Sequence, residues 1–275
     1  MRYLQLLIFL LITLNSCSQK LTFKDGVYSE VPDYNDSTLH KYTIDNISYV
    51  LNREFIYDYY YIDSVNRKFK FIQDENYYLD NPLNLIHVDS LQGNYIDKIK
   101  IIVSDDSYIF SSFDSSYIQT VFTYNYLGNE SSSKEIYTGV IDNRRNLWIH
   151  PPRHYTFLIL QFCPFPFYYL DESINHWEWS LYTNGFYLDP RWIKSTEGIT
   201  INFDYKRMPD EKMKTPFGIL QCKVTYATGT LKNGNITSHT YLKSYYHPNY
   251  GFVKLEYDLI NEDKIIINLI EMNEK

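Results

Sequence analysis

The chain has 275 residues, of which 44% are hydrophobic, 18% aromatic and 21% charged. Those proportions exclude a disordered or collagen-like polypeptide, and a formal net charge of -7 argues against a general nucleic-acid binder, because phosphate binding needs a positive field. The 29 tyrosines, 16 phenylalanines and 29 isoleucines stand against one alanine, Ala227, which excludes a mostly helical fold. Alanine is the best helix former, whereas the aromatic and β-branched residues suit a pleated, half-buried surface.

Residues 1–17 read MRYLQLLIFLLITLNSC. Arg2 supplies a short positive region, and Leu4 to Leu14 form an apolar run broken by Gln5 and Thr13. The run is too short to span a bilayer and has the length of a signal-peptide core. Leu14-Asn15-Ser16-Cys17 resembles the lipobox of bacterial lipoproteins, with Asn15 departing from the commonest residue at its position. The resemblance implies removal of residues 1–16, lipid attachment at the Cys17 thiol and acylation of the new amine. Several acyl chains, palmitate among them, hold a protein on a membrane at about 0.8 kcal/mol per buried methylene. No later stretch approaches the length of an apolar spanning helix. Residues 17–26 then read as a lipid-anchored tether and residues 27–275 as a single β domain.

Along that domain, strands are expected wherever charge and apolar residues alternate: Lys68–Ile72, Lys98–Val103, Ile199–Tyr205, Val253–Tyr257 and Lys264–Met272. One wet face and one apolar face are the mark of antiparallel sheet. Turn chemistry separates the runs at Leu127-Gly128-Asn129, at Asp142–Asn146 and at Lys232-Asn233-Gly234-Asn235, where Asn-Gly is the clearest hairpin signal. Helix is confined to short turns near Asn81–His87 and Pro190–Ser195. The expected fold is all-β: a large curved antiparallel sheet, half-barrel or two-layer, with few short helices.

Residues 147–170, LWIHPPRHYTFLILQFCPFPFYYL, hold the densest chemistry. Trp148, His150, Arg153 and His154 cluster around Pro151 and Pro152, ahead of an apolar run expected as a strand, Leu158–Cys163. Trp177, Trp179 and Trp192 follow close behind. Exposed aromatics with an arginine can stack sugars, peptides or other planar groups. The plainer reading is that the rings fill a core or cover a sheet face. His150 and His154 have i, i+4 spacing, but two prolines between them forbid the helix that gives the spacing meaning, so no metal site is expected there. No nucleophile elbow, paired-carboxylate motif or phosphate-cradling loop is present, and no cofactor is expected. Cys163 and Cys222 could pair in an oxidising compartment, but two buried thiols are the favoured reading.

Residues 215–222, TPFGILQC, and 245–257, YYHPNYGFVKLEY, are turn-plus-strand units in which Gly218 and Gly251 bend the backbone. With the mid-chain LWIHPPR, they resemble uncharacterised Gram-negative bacterial lipoproteins with a TapB-like or LolA/LolB-like half-barrel C-terminal pattern. The resemblance implies a curved sheet and an envelope location. No plug helix is visible in the sequence, and no catalytic residue is carried over. The expected function is a non-enzymatic binding or structural module, lipid-anchored on the outer membrane through its acyl chains and facing the periplasm or the cell surface. Its partner would be an envelope protein, a glycan or an apolar ligand. The alternatives are an apolar-ligand carrier using the concave face, and a hydrolase-type enzyme using His150, Arg153 and His154.

Overall fold

The computed structural model describes residues 21–24, 26–30, 46–72, 83–104, 120–128, 134–153, 155–183, 189–193 and 198–274. The signal segment, Cys17 and His154 lie outside the described residues. In chain order the strands are β1 (Leu21–Lys24), β2 (Val27–Glu30), β3 (Arg53–Ile62), β4 (Lys68–Phe71), β5 (Leu85–His87), β6 (Ile96–Ser104), β7 (Thr120–Gly128) and β8 (Lys134–Asp142). They continue as β9 (Asn146–Ile149), β10 (Phe167–Tyr169), β11 (His176–Thr183), β12 (Ile199–Thr215), β13 (Gly218–Asn233), β14 (Ile236–His247), β15 (Gly251–Asp258) and β16 (Lys264–Glu274).

Fourteen of these strands form one antiparallel sheet, with main order β10-β9-β8-β7-β6-β3-β16-β15-β14-β13-β12-β11 and β4–β5 attached beside β3. The first two strands form a separate hairpin. The alternation read from the sequence is the alternation of burial. In β3, Phe55, Tyr57, Tyr59 and Tyr61 are buried, and in β15 and β16 so are Leu255, Tyr257, Ile265, Ile267 and Leu269. Asn233 pairs with Ile236, so the predicted hairpin turns on Gly234-Asn235, with Gly234 at φ +59. Gly218 and Gly251 both have positive φ, as their sequence context implied. At Gly251 there is also no room for a side chain, since a Cβ would lie 2.6 Å from the Tyr49 ring.

Register shifts bend the sheet. One lies between Met208 and Glu211 in β12, where Pro209 sits. A bulge tolerates a proline because the ladder is already interrupted there. Others lie at Tyr245/Tyr246 and Leu269/Glu271. The two strands at the ends of the sheet, β10 and β11, are neighbours in the chain, separated by residues 170–175. The sheet is therefore curled until its ends meet, yet among the described residues no ladder joins them. This decides between the two expected shapes: one continuous sheet wrapped on itself, its ladder open at a single seam.

Three sequence expectations are corrected. Leu158–Cys163 is not a strand: Tyr155–Phe162 forms a 3-10 helix, and Cys163 follows it. An apolar run without alternation fits helix or strand equally. Prolines on both sides remove ladder donors, and a 3-10 turn satisfies its backbone internally. Near His87 the chain forms β5 and then a 3-10 turn, Val88–Ser90. Part of the expected tether, Leu21–Lys24, is strand β1 and pairs with β2. The turn beginning at Pro190 is present, while Ser195 lies outside the described residues.

Candidate functional site

The curled sheet has an inside, and residues 150–153 and 155–166 run through it. Phe157 packs edge-on against Tyr59 and Phe71, at ring separations of 5.1 and 4.9 Å, and stacks on Tyr126 at 5.4 Å. Ile159, Leu160, Phe162, Cys163 and Phe165 are fully buried or nearly so. The segment absent from the sequence reading as a plug helix is thus supplied by a 3-10 turn and the extended proline stretches beside it.

A buried irregular segment has backbone groups with no ladder to join, and each must find a partner. Here hydroxyl groups on the sheet provide them. Tyr124 donates to the His150 carbonyl at 2.7 Å. The Arg153 amide donates to the Tyr126 hydroxyl at 2.8 Å. Tyr205 donates to the Phe165 carbonyl at 3.1 Å, and Thr240 to the Phe162 carbonyl at 2.7 Å. Gly229 lets the plug approach: a Cβ there would lie 2.5 Å from Thr240 Oγ1 and 3.2 Å from the Phe162 carbonyl. The tyrosine excess has a structural cause, since a phenol carries a ring into a core and a hydrogen-bonding group beyond it.

The candidate ligand-binding residues split between this interior and the seam. Trp148 and Trp177 are buried. Trp148 packs on His150 at 4.7 Å, on Trp179 at 5.4 Å and on Phe165 at 5.6 Å. Trp177 stacks on Tyr205 at 5.5 Å and meets Phe167 of β10 at 5.7 Å. Trp179 stacks on Phe203 at 5.3 Å. Trp148 and Trp177 thus belong to the core and half-buried Trp179 packs against it, so that rings close the seam where no strand ladder does. Trp192 is half-buried in a turn apart from them, beside the buried pair in which Arg191 Nη2 meets Asp189 Oδ2 at 2.5 Å.

His150 is half-buried as a residue, but its Nδ1 is out of contact with solvent. Burial, reinforced by the Arg153 charge, holds its pKa well below the usual histidine range, so the ring stays neutral. Arg153 reaches Thr138 at 3.5 Å and is half-buried. The His150 carbonyl and the Arg153 amide are therefore the groups through which the start of the plug is held. Cys163 and Cys222 are both free and buried, in line with the favoured reading, and burial raises both thiols.

Sequence reasoning missed the residue that binds the seam, Arg207 of β12. Its guanidinium donates to the Tyr169 carbonyl at 2.8 Å, to Asp171 and Ile174 carbonyls at 3.1 Å each, and to the Tyr168 hydroxyl. Its carbon lies 4.6 Å over the Tyr168 ring. Lys223 adds ion pairs to Glu172 at 2.5 Å and Asp210 at 3.0 Å. The β1–β2 hairpin covers the same region: the Tyr28 amide donates to Asn146 Oδ1 at 2.9 Å, and Asn143 Nδ2 to the Tyr28 carbonyl at 3.0 Å. Nothing local marks Arg207, because its partners are 33 to 39 residues away.

Around Tyr57, Ile101, Tyr124, His150, Pro151 and Ile267, a void of about 10 Å3 remains for the centre of a water-sized sphere. That is room for about one water.

The class is now defined: a self-filled, curled antiparallel sheet with a side-chain-closed seam. No family model matches the chain, and no curated protein matches it. Two solved structures are similar. One is described as an exported protein with a YmcC-like fold from Bacteroides fragilis, 12% identical, covering 83% of this chain and 99% of that one with a TM-score of 0.44. The other is described as a lipoprotein from Parabacteroides distasonis, 11% identical, covering 82% and 97% with a TM-score of 0.40. Both neighbours are thus described as exported or lipid-linked, and neither as TapB-like or LolA/LolB-like. At such scores the likeness carries no function across.

Proposed function

We propose that this chain is a lipoprotein of the bacterial envelope, held on the outer membrane by acyl chains on Cys17, whose β body works as a non-enzymatic binding or structural module. The observation that carries the reading is the filled interior. The concave face is occupied by residues 150–153 and 155–166 of the same chain, so recognition falls to the outer surface and the strand ends. An apolar carrier would need a pocket of about 300 Å3 or more, and the plug stands where that pocket would be. A hydrolase-type site would have to be built on the half-buried His150 ring, packed against Trp148 and Phe165, and on Arg153, whose amide anchors the plug. Among the described residues no helix is long and apolar enough to cross a membrane, and the anchor rests on the lipobox resemblance of Leu14-Asn15-Ser16-Cys17.

Metabolic labelling with an alkyne fatty acid tests the anchor. Wild type is expected to label and Cys17→Ala to lose the label and leave the membrane fraction; equal labelling ends the lipoprotein reading. Native mass spectrometry of the purified protein tests the carrier alternative. The module reading expects the polypeptide mass plus its anchor alone, and a stoichiometric co-purified lipid would favour the carrier.

A further inference from the structure

We infer that the outer face of the β11–β12 pair carries a binding site for one divalent transition-metal ion, formed by His176, Glu178 and Asp204. The three side chains present an imidazole nitrogen and two carboxylates whose ligand atoms all lie within 4.8 Å of one another. His176 and Glu178 are two apart on β11, and so project from the same face. Asp204 on β12 stands directly opposite Glu178 in the ladder. The site is on two paired strands, which hold the ligand backbones in place better than a loop would.

The pairing of Glu178 with Asp204 is a second, energetic observation. Directly opposed like charges destabilise an antiparallel pair. Elsewhere the described ladders set opposite charges across from each other: Asp258 with Lys264, Asp58 with Lys98, Glu256 with Lys243, Glu274 with Arg53. The β11–β12 pair departs from that rule at Glu178 and Asp204, where the His176 imidazole also converges and Lys206, directly across from His176, is the nearest cation in the ladder on that face. His176 Nε2 already lies 2.6 Å from Asp204 Oδ2, a hydrogen bond to one of the two carboxylates. A divalent cation would offset both carboxylates together. One imidazole and two carboxylates are a donor set suited to zinc and its neighbours, with water completing a tetrahedron. The three side chains are exposed or half-exposed. They can therefore rotate toward the roughly 3.4 Å expected between ligands at bond lengths of about 2.0–2.1 Å: the wider separations close, and the 2.6 Å His176–Asp204 contact opens as the ion replaces the proton between them.

Such an ion would bind the edge strand β11 to β12 beside the seam. It owes nothing to His150 or His154, the pair the sequence made suspect. The signal in the chain is half a site, His176-Trp177-Glu178; the other half is visible only once the β11–β12 register is known.

The test is calorimetric titration of zinc chloride into the full chain, purified in detergent and stripped with chelator. One ion per chain is expected in the wild type. Affinity should fall about tenfold or more in His176→Ala and in Glu178→Gln, and should be unchanged in His87→Ala, which removes a surface histidine elsewhere. Zinc should raise the thermal midpoint of the wild type and of His87→Ala but not of the first two variants. All three positions are outside the core, so circular dichroism should show the wild-type fold in each variant. No saturable binding at millimolar zinc, or equal affinity in the wild type and either site variant, overturns the proposal.

Discussion

The Tyr205 hydroxyl donates to the Phe165 carbonyl at 3.1 Å, joining a strand near one end of the sheet to the segment that fills its interior. Tyr257 is an equally buried tyrosine whose hydroxyl has no hydrogen-bond partner among the described residues. The two are expected to respond oppositely to loss of the oxygen. Tyr205→Phe strands a buried carbonyl and should cost about 1–3 kcal/mol, whereas Tyr257→Phe should be neutral or stabilising. Urea denaturation followed by tryptophan fluorescence measures both. A loss in Tyr257→Phe as large as that in Tyr205→Phe would remove the argument that hydroxyls hold the plug.

Arg207 is expected to govern the seam. Arg207→Ala leaves the Tyr169 carbonyl and the 170–175 loop without their donor and should cost about 2 kcal/mol. Amide exchange in residues 170–175 should quicken before the rest of the sheet responds. Arg207→Lys should rescue little, because one ammonium cannot reproduce a planar fork that reaches several carbonyls. Uniform quickening across the sheet would show instead that the seam has no independent stability.

Asp142 gives a pH dependence with a definite sign. Its Oδ2 accepts the backbone amides of Ser48 at 2.9 Å and Tyr49 at 2.7 Å, and burial pushes its pKa up from 3.8 to about 6. A folded pKa above the unfolded one means the folded state binds the proton more tightly. This group's contribution is therefore fully present below about pH 4 and is lost as pH rises through about 6, a span of about 3 kcal/mol. Asp63, Asp171 and Glu172 are depressed by hydrogen bonds and ion pairs, and act in the opposite sense at lower pH. The clean measurement is thus the difference between wild type and Asp142→Asn. Stability of the wild type relative to the variant should rise as pH falls from 7 to about 4; a flat difference would contradict the burial of this carboxyl.

Both thiols should be inert while the protein is folded. Cys163 and Cys222 are buried and free, and Cys222 is raised to about 11, so little thiolate exists at neutral pH. A thiol reagent is expected to label neither in the native state and both in denaturant. Non-reducing mass analysis should show no loss of two hydrogens. Rapid native labelling at Cys222 would place its sulfur at the surface.

What the sequence determined was everything that depends on near neighbours. Alternation marked the strands, Asn233-Gly234 marked a hairpin, and Gly218 and Gly251 marked positive φ, because each is decided by a few adjacent residues. The composition announced the tyrosines without explaining them. The tertiary structure alone decided that the run from Thr156 to Pro166 goes inside. An apolar run bounded by prolines can be an edge, a strand or a plug, and only closure of the sheet removes the first two. It likewise turned Trp148 and Trp177 from candidate binders into seam packing, gave Arg207 its carbonyls, and set Glu178 across from Asp204. Those relationships depend on register and curvature accumulated over many strands, and no local pattern encodes that sum.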